Sequence, residues 1–578
     1  MYKNVFRGRL FMVKWYLRFV DWLFLLLISS LIFTLIPHPI SLEILGTTGK
    51  EFAVYPLMLG MLLTAYIWFI SKGKNIFGWS KGSDCQTFFT RAKWYFWILF
   101  AVLAFSAILG ALNYPYTDQF LYNKSFLPVR LVKVMKIFSS EHLSEGTIIL
   151  WLVFRGIKNV FFDVFWLFGG SFLIFWWYCE RSARCLELLI KGIFVSIGIV
   201  FLYEIIELPY LLGSQTASSI LTIVNPYIHQ IGYLNNQYIG NSDDAVRAFA
   251  WWPPLLLKHQ VRSVFPEPSF MGMYCAFVVP WLWFVWLQIK KDDLLSVKGV
   301  TLSIVMLVLY FLLFATQART AILLLTGELV LLLIYGIYRK NKGDFAKIIA
   351  ILLLVSMGLG GSLIFTQVEK DRFALLNGAI DGNYINENGG ESLFSKAGKS
   401  YISENIASAV GKDKRSNRAR FSLMEAELKV WMAHPVLGVG KGLKAAYIPD
   451  KLPSDATQSS EVKMWLDRLH ANGALKASFP DVSEYTSKLC EIGLLGCLLY
   501  YFPAAYLAYF FLLFLRRSRE NKQYLRIQSL LSFYLISLAG ILAGGISTSL
   551  NVNYCFGVLL GIGFILHHQV KKLEVTKN

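Results

Sequence analysis

Charge is what this chain has least of. Only 16% of its 578 residues are Asp, Glu, Lys or Arg, while 56% are hydrophobic; a soluble globular protein carries roughly 25% charged and 45–50% apolar residues. The scarcity excludes a soluble domain and indicates an integral membrane protein. A disulfide framework is missing as well. Of the seven cysteines, Cys85, Cys179 and Cys185 fall by basic connections, Cys275, Cys497 and Cys555 lie in apolar runs, and Cys490 sits at the mouth of one, a distribution that implies no cross-linked outer loop. There is no repeat of fixed period and no low-complexity tract. No small-residue cleavage site follows the first apolar run, so "DWLFLLLISSLIFTLI" reads as a retained span rather than a signal peptide. No His/Asp/Glu cluster has metal-ligand spacing, and neither a metal nor a cofactor is expected.

Long apolar runs and a basic excess are what the chain does have. A spanning helix needs about 20 mostly apolar residues, and twelve runs qualify: 19–36, 53–71, 94–113, 160–178, 188–207, 269–289, 299–316, 320–338, 346–366, 490–514, 528–548 and 551–568. Within 147–178 the run is too long for one span, and Arg155 and Lys158 interrupt it. An interfacial helix followed by a span is expected there. The net charge is +19, and its placement argues for membrane topology rather than nucleic acid. Short basic connections (around Lys72–Lys93, Arg181, Lys290, Arg339 and Arg516–Arg526, with both termini) alternate with the long loops 114–146, 208–268 and 367–489. The positive-inside rule then puts both termini in the cytoplasm and the long loops outside. The organisation is a bundle over 1–366, a large outer loop over 367–489, and three further spans with a tail over 490–578. Residues 377–416, polar and rich in Gly, Asn and Ser, are the expected flexible piece of that loop.

The loop contains "RARFSLMEAELKVWMAHPVLGVGKG", residues 418–442. Phe421, Met424, Leu428 and Trp431 recur at helical spacing, so an amphipathic helix is expected, closed by Pro435. A nucleotide-phosphate loop needs strand–glycine loop–helix order and Lys-Ser or Lys-Thr. Here a helix precedes the glycines and Leu443 follows Gly442, which rules that reading out.

Four blocks resemble the O-antigen ligase and Wzy-type polysaccharide polymerase superfamily. The first is Arg420 followed by His434, Pro435, Gly438 and Gly440. The second is "LCEIGLLGCLLYYF" from Leu489. The third is "QARTAILLLTGELVLLLIYG" from Gln317, with Ala318 where the family usually has Ser, and the fourth is "VFPEPSFMGMYCAF" from Val264. They cover about residues 264–505. The resemblance implies an all-α integral membrane enzyme of about twelve spans, a GT-C-like bundle with amphipathic helices in a large extracytoplasmic loop, in a bacterial cytoplasmic membrane. It implies a donor glycan on undecaprenyl pyrophosphate, a sugar hydroxyl as acceptor, and a chain-length regulator and flippase as pathway partners.

Such chemistry requires cations for the departing pyrophosphate and a base for the hydroxyl. Arg319 and Arg420 suit the diphosphate, because guanidinium stays charged and forks onto phosphate oxygens; Arg262 is a third candidate. Arg319 could otherwise be a snorkelling helix-end residue. The ligases resemble one another in a His about nine residues before the Glu of the second block, but counting back from Glu491 gives Val482. His470 is the nearest His, either displaced by an insertion or an ordinary loop residue. Glu267, beside Arg262, is the other base candidate; its alternative is an ion pair capping a helix start. His434 is expected to cap or pack its helix end. Glu328 is an isolated mid-span carboxylate. "AFAWWPPLLL" from Ala248 could line a glycan groove or anchor an interface. The missing ligase histidine favours a polymerase. Ligation of finished glycan, or transport of the glycan lipid, are the alternatives; paired intramembrane charges and repeated halves expected of a transporter are not seen in the sequence.

Overall fold

A computed structural model describes residues 2–34, 36, 49, 51–70, 84–122, 126–128, 130–133, 144–228, 260–290, 293, 295–339, 341–381, 415–550 and 553–575. The expected Trp-Trp stretch from Ala248 and most of the polar 377–416 segment lie outside these. The described chain is helical throughout, with no strand. The longer helices are α1 (Tyr2–Ser29), α2 (Val54–Ile70), α3 (Asp84–Leu112), α5 (Glu145–Tyr178), α6 (Ser182–Leu211), α8 (Pro268–Gln288), α9 (Val297–Ala315), α10 (Arg319–Arg339), α11 (Lys342–Asp381), α14 (Glu484–Ser518), α15 (Leu525–Gly544) and α16 (Cys555–Val575). Each of the twelve apolar runs falls on one of them. Shorter helices are α4 (Thr117–Tyr122), α7 (Gln215–Ile228), α12 (Arg415–Ala433) and α13 (Ser460–Asn472).

Among the described residues, nine helices are long and apolar enough to cross a membrane. α2 has 17 residues. α1 carries Lys14, Arg18 and Asp21, and the second half of α16 carries His567, His568, Gln569, Lys571 and Lys572, which lowers the hydropathy of both. The chain is an all-α integral membrane protein. α5 departs from the expected pair of helices. It is continuous over 34 residues, with a π-helical turn at Phe165–Gly169 absorbing one register shift. Its mid-helix charge does not break it, because Arg155 lies over the Trp151 ring at 5.2 Å and Gly156 lets α5 approach Ala107 of α3 closely.

α8 is the central helix, with 83% of its apolar window buried. Pro268 occupies its first turn, where a missing N–H costs nothing, behind extended Glu267. Trp281, Trp283 and Tyr274 fill the interior around it. α8 and α10 start side by side: Gly272 is held against Ala321, where a Cβ would overlap it. α15 closes on the other flank, Ser537 Oγ donating to the Phe277 carbonyl at 3.0 Å.

The helix starts Glu145, Pro268, Arg319 and Glu484, with the ends of α3 and α15, gather at one end of the bundle, here the loop end. The segment 434–483 is seated there by two small apolar clusters. One joins the end of α3 and the start of α5 to Leu443 and Leu475; the other joins Leu423 and Ala426 of α12 to Phe479 and Val482. The opposite, basic end holds Arg181 and Arg184 paired with Asp21 at 2.8 and 2.9 Å.

Candidate functional site

The expected amphipathic helix forms as α12, and the glycines after it explain how it is fixed. Gly438, Gly440 and Gly442 all take positive φ, a region that side chains disfavour. The resulting turn lays residues 435–440 along α14 where that helix breaks at Gly493, whose φ of 65° and ψ of −176° are not helical. Four backbone hydrogen bonds join the two segments: Val439 N to Cys490 O and Gly440 N to Glu491 O, both 2.9 Å, Leu494 N to Pro435 O at 2.9 Å, and Leu495 N to Val436 O at 3.1 Å. A Cβ on Gly493 would overlap the Val436 carbonyl. Ser106 of α3 donates to the Leu437 carbonyl at 2.6 Å. His434 packs by its ring, 5.6 Å from that of Tyr447.

Around this docked turn runs a charged network that sequence spacing did not reveal. Lys444 Nζ contacts Glu427 at 2.7 Å, Asp481 at 2.6 Å and Ser487 Oγ at 2.7 Å. Thr486 donates to the other oxygen of Glu427 at 2.6 Å. Burial alone would lower Lys444; Asp481 and Glu427 outweigh it and hold the ammonium above its ordinary range. Lys488 pairs with Asp163 of α5 at 2.9 Å and lies 4.6 Å from the Tyr500 ring. Lys441 bridges Asp163 and Glu491, each at 3.3 Å. Glu491 also accepts the Gly442 amide at 2.9 Å, and Glu484 accepts Ser549 Oγ at 3.0 Å. The partners come from α5, α12, the 441–444 turn, Asp481 ahead of α14, α14 itself and Ser549 after α15, so no local motif announces them.

Glu51, in the turn before α2, adjoins this seam. Burial, with the charge of Asp163, pushes its carboxyl up to about 8. The sequence does not single it out, because it stands alone between two apolar runs.

The two arginines come together at the turn after α15. Arg420 Nη1 donates to the Ser547 carbonyl at 3.0 Å. Arg319 Nη1 donates to Asn417 Oδ1 at 3.0 Å, one helical turn before Arg420 on α12. The neighbouring Thr320 hydroxyl is 3.1 Å from Ser547 Oγ. The two guanidinium charges act on one another. Like charges brought together from separate segments form a site for an anion with more than one charge.

Glu267 opens the same end. It is exposed at the start of α8, accepting Ser269 Oγ at 3.3 Å. Arg262 differs from the other two arginines. It is buried, and its Nε donates to the Phe265 carbonyl at 3.1 Å, with Nη2 on the Pro266 carbonyl. Glu207 holds the Arg262 and Ser263 amides at 3.1 and 2.6 Å, so these groups shape the loop before α8. His470 is exposed in the last turn of α13. That helix shares an apolar cluster with Ala419 of α12 through Val462 and another with Leu423 and Ala426 through Leu469, the residue before His470. The structure brings Arg319 and Arg420 together. Glu328 is buried mid-span against Gly540.

Residues 304–464 match the family model described as O-antigen ligase. The matched stretch runs from α9 into α13, taking in Arg319, Arg420 and the His434–Gly440 turn. It supports placing the chain in the O-antigen ligase and Wzy superfamily, whose activity is glycan transfer of the ligase or polymerase type. No curated protein matches the chain.

Proposed function

We propose that this chain, taken as a member of that superfamily, polymerises oligosaccharide repeats carried on undecaprenyl pyrophosphate. The observation that supports this most is the meeting of Arg319 and Arg420 at the Ser547 turn. In this reading the two guanidiniums hold the donor's pyrophosphate. Glu267 takes the proton from an acceptor sugar hydroxyl, whose oxygen attacks the donor's anomeric carbon. The carbon–oxygen bond to pyrophosphate breaks, and the arginines stabilise the charge on the departing lipid pyrophosphate. No catalytic metal enters this scheme. By the positive-inside rule the loop end faces away from the cytoplasm, where a lipid-borne donor is the available activated sugar.

One observation favours polymerisation over ligation of finished glycan: Val482 stands where the ligases carry a histidine. The test is the glycan of a strain lacking this protein. Single repeats accumulating on the lipid carrier support a polymerase. Long chains retained on the carrier, missing only from a final acceptor, make it a ligase.

A further inference from the structure

At the basic end, far from the arginines, four metal-ligand side chains from three chain segments converge. Cys85 begins α3, Cys179 and Glu180 form the turn after α5, and His568 is in α16. Cys85 Sγ is 3.3 Å from Glu180 Oε1 and 3.2 Å from His568 Nε2, and His568 Nε2 is 3.7 Å from Glu180 Oε1. The donor atoms of Cys85, Cys179 and Glu180 all lie within 4.8 Å of one another. Cys85, Cys179 and His568 are buried, and Glu180 keeps the cluster open to solvent. We propose that this cluster is a structural zinc site, Cys85, Cys179, Glu180 and His568 being its ligands.

Zn–S of about 2.3 Å and Zn–N or Zn–O of about 2.0–2.1 Å in a tetrahedron set ligand-to-ligand edges of about 3.3–3.8 Å. The separations among Cys85, Glu180 and His568 match those edges within a few tenths of an ångström, and His568 moves toward Cys179 to close the tetrahedron, the two lying more than 4.8 Å apart without the ion. Two sulfurs, an imidazole and a carboxylate suit zinc rather than calcium or magnesium. Lys572 donates to Glu180 Oε2, the oxygen not turned on the cysteine, and so fixes the carboxylate's orientation. It also balances charge: a dication with two thiolates and one carboxylate carries one negative charge, which the ammonium offsets. Binding releases the two thiol protons to solvent. Phe88, one turn on from Cys85, packs at 4.4 Å on Phe175, whose ring meets that of His568 at 6.2 Å. The surrounding wall is therefore apolar. Four protein ligands leave no open position, which makes the ion a staple across α3, the α5–α6 turn and α16, not a reaction centre. The ligands are scattered through the chain, so no spacing motif discloses them.

The test is the metal content of the full chain purified in detergent without chelator. About one zinc per chain is expected in the wild type and in Cys275→Ser, a buried cysteine elsewhere, and far less in Cys85→Ser/Cys179→Ser. If the double variant is not recovered, cobalt exchange of the wild type decides: strong visible bands with thiolate-to-cobalt charge transfer in the near ultraviolet are expected of a tetrahedral sulfur site. Weak octahedral bands, zinc unchanged in the double variant, or a Cys85–Cys179 disulfide found in non-reduced peptides would each overturn the assignment. All of these readouts are independent of glycan synthesis.

Discussion

The Gly442 amide donates to the carboxylate of Glu491 at 2.9 Å. One bond thus ties the glycine turn that follows α12 to α14, a membrane helix that begins only after α13. With the four backbone bonds on either side of Gly493, it makes α12 an extension of the bundle. That is what holds Arg420 at a set place over Ser547 and Arg319.

Gly493→Ala tests this coupling first. Its φ and ψ belong almost only to glycine, and forcing alanine there costs about 1–3 kcal/mol before any clash with Val436. The variant should unfold in detergent at a lower temperature than wild type and lose activity. An unchanged melting temperature would mean that the docked turn contributes little.

Lys444→Met should be more damaging still. It leaves Glu427 buried without its cation, a change that costs about 3–5 kcal/mol. Lys444→Met/Glu427→Met removes both charges and should recover most of the lost stability. A double variant no more stable than the single one would contradict the pairing; the readout is the thermal midpoint of each purified protein.

Glu51 provides a pH signature. Its carboxyl is raised to about 8 against an unfolded value of about 4.3, so between those values the folded chain binds more protons than the unfolded chain. Stability from this group is full below about pH 4.3 and declines as pH rises to about 8. Glu51→Gln should therefore melt increasingly above wild type as the buffer goes from about pH 5 to about pH 8. A constant difference across that range would show that Glu51 ionises normally.

The base assignment separates by substitution. Glu267→Gln should slow turnover by about 10²–10⁴-fold, the usual contribution of a positioned base, with the protein still in the membrane. His470→Ala should leave turnover near wild type. The opposite pattern would make the displaced histidine the base and restore the ligase reading.

Much of this was legible in the sequence because it rests on local patterns. Each apolar run became a helix, and the spacing of Phe421, Met424, Leu428 and Trp431 produced α12. Arg319 is visible as a charge at the mouth of a span, whereas Arg420, one of several basic residues in its loop, is singled out only by the family resemblance. What was not legible depends on contacts between distant segments. Nothing near Asp163 indicates Lys441 or Lys488, and nothing near Glu427 indicates Lys444. Arg262 looked as available as the other arginines, because sequence cannot show a guanidinium folding back onto the Phe265 and Pro266 carbonyls. The continuity of α5 was hidden for a related reason: Arg155 and Lys158 look like a boundary until the Trp151 ring and the α3 contact are seen.

The proposed mechanism turns on joint binding of the donor's pyrophosphate by Arg319 and Arg420. The most direct measurement gives purified wild type, Arg319→Ala and Arg420→Ala a synthetic repeat on polyprenyl pyrophosphate and resolves the product ladder. The wild type should extend the repeat, and each variant should lose about 10²–10³-fold in rate, the effect of removing one donor to a developing anion, at unchanged melting temperature. A normal ladder from either variant would contradict the account.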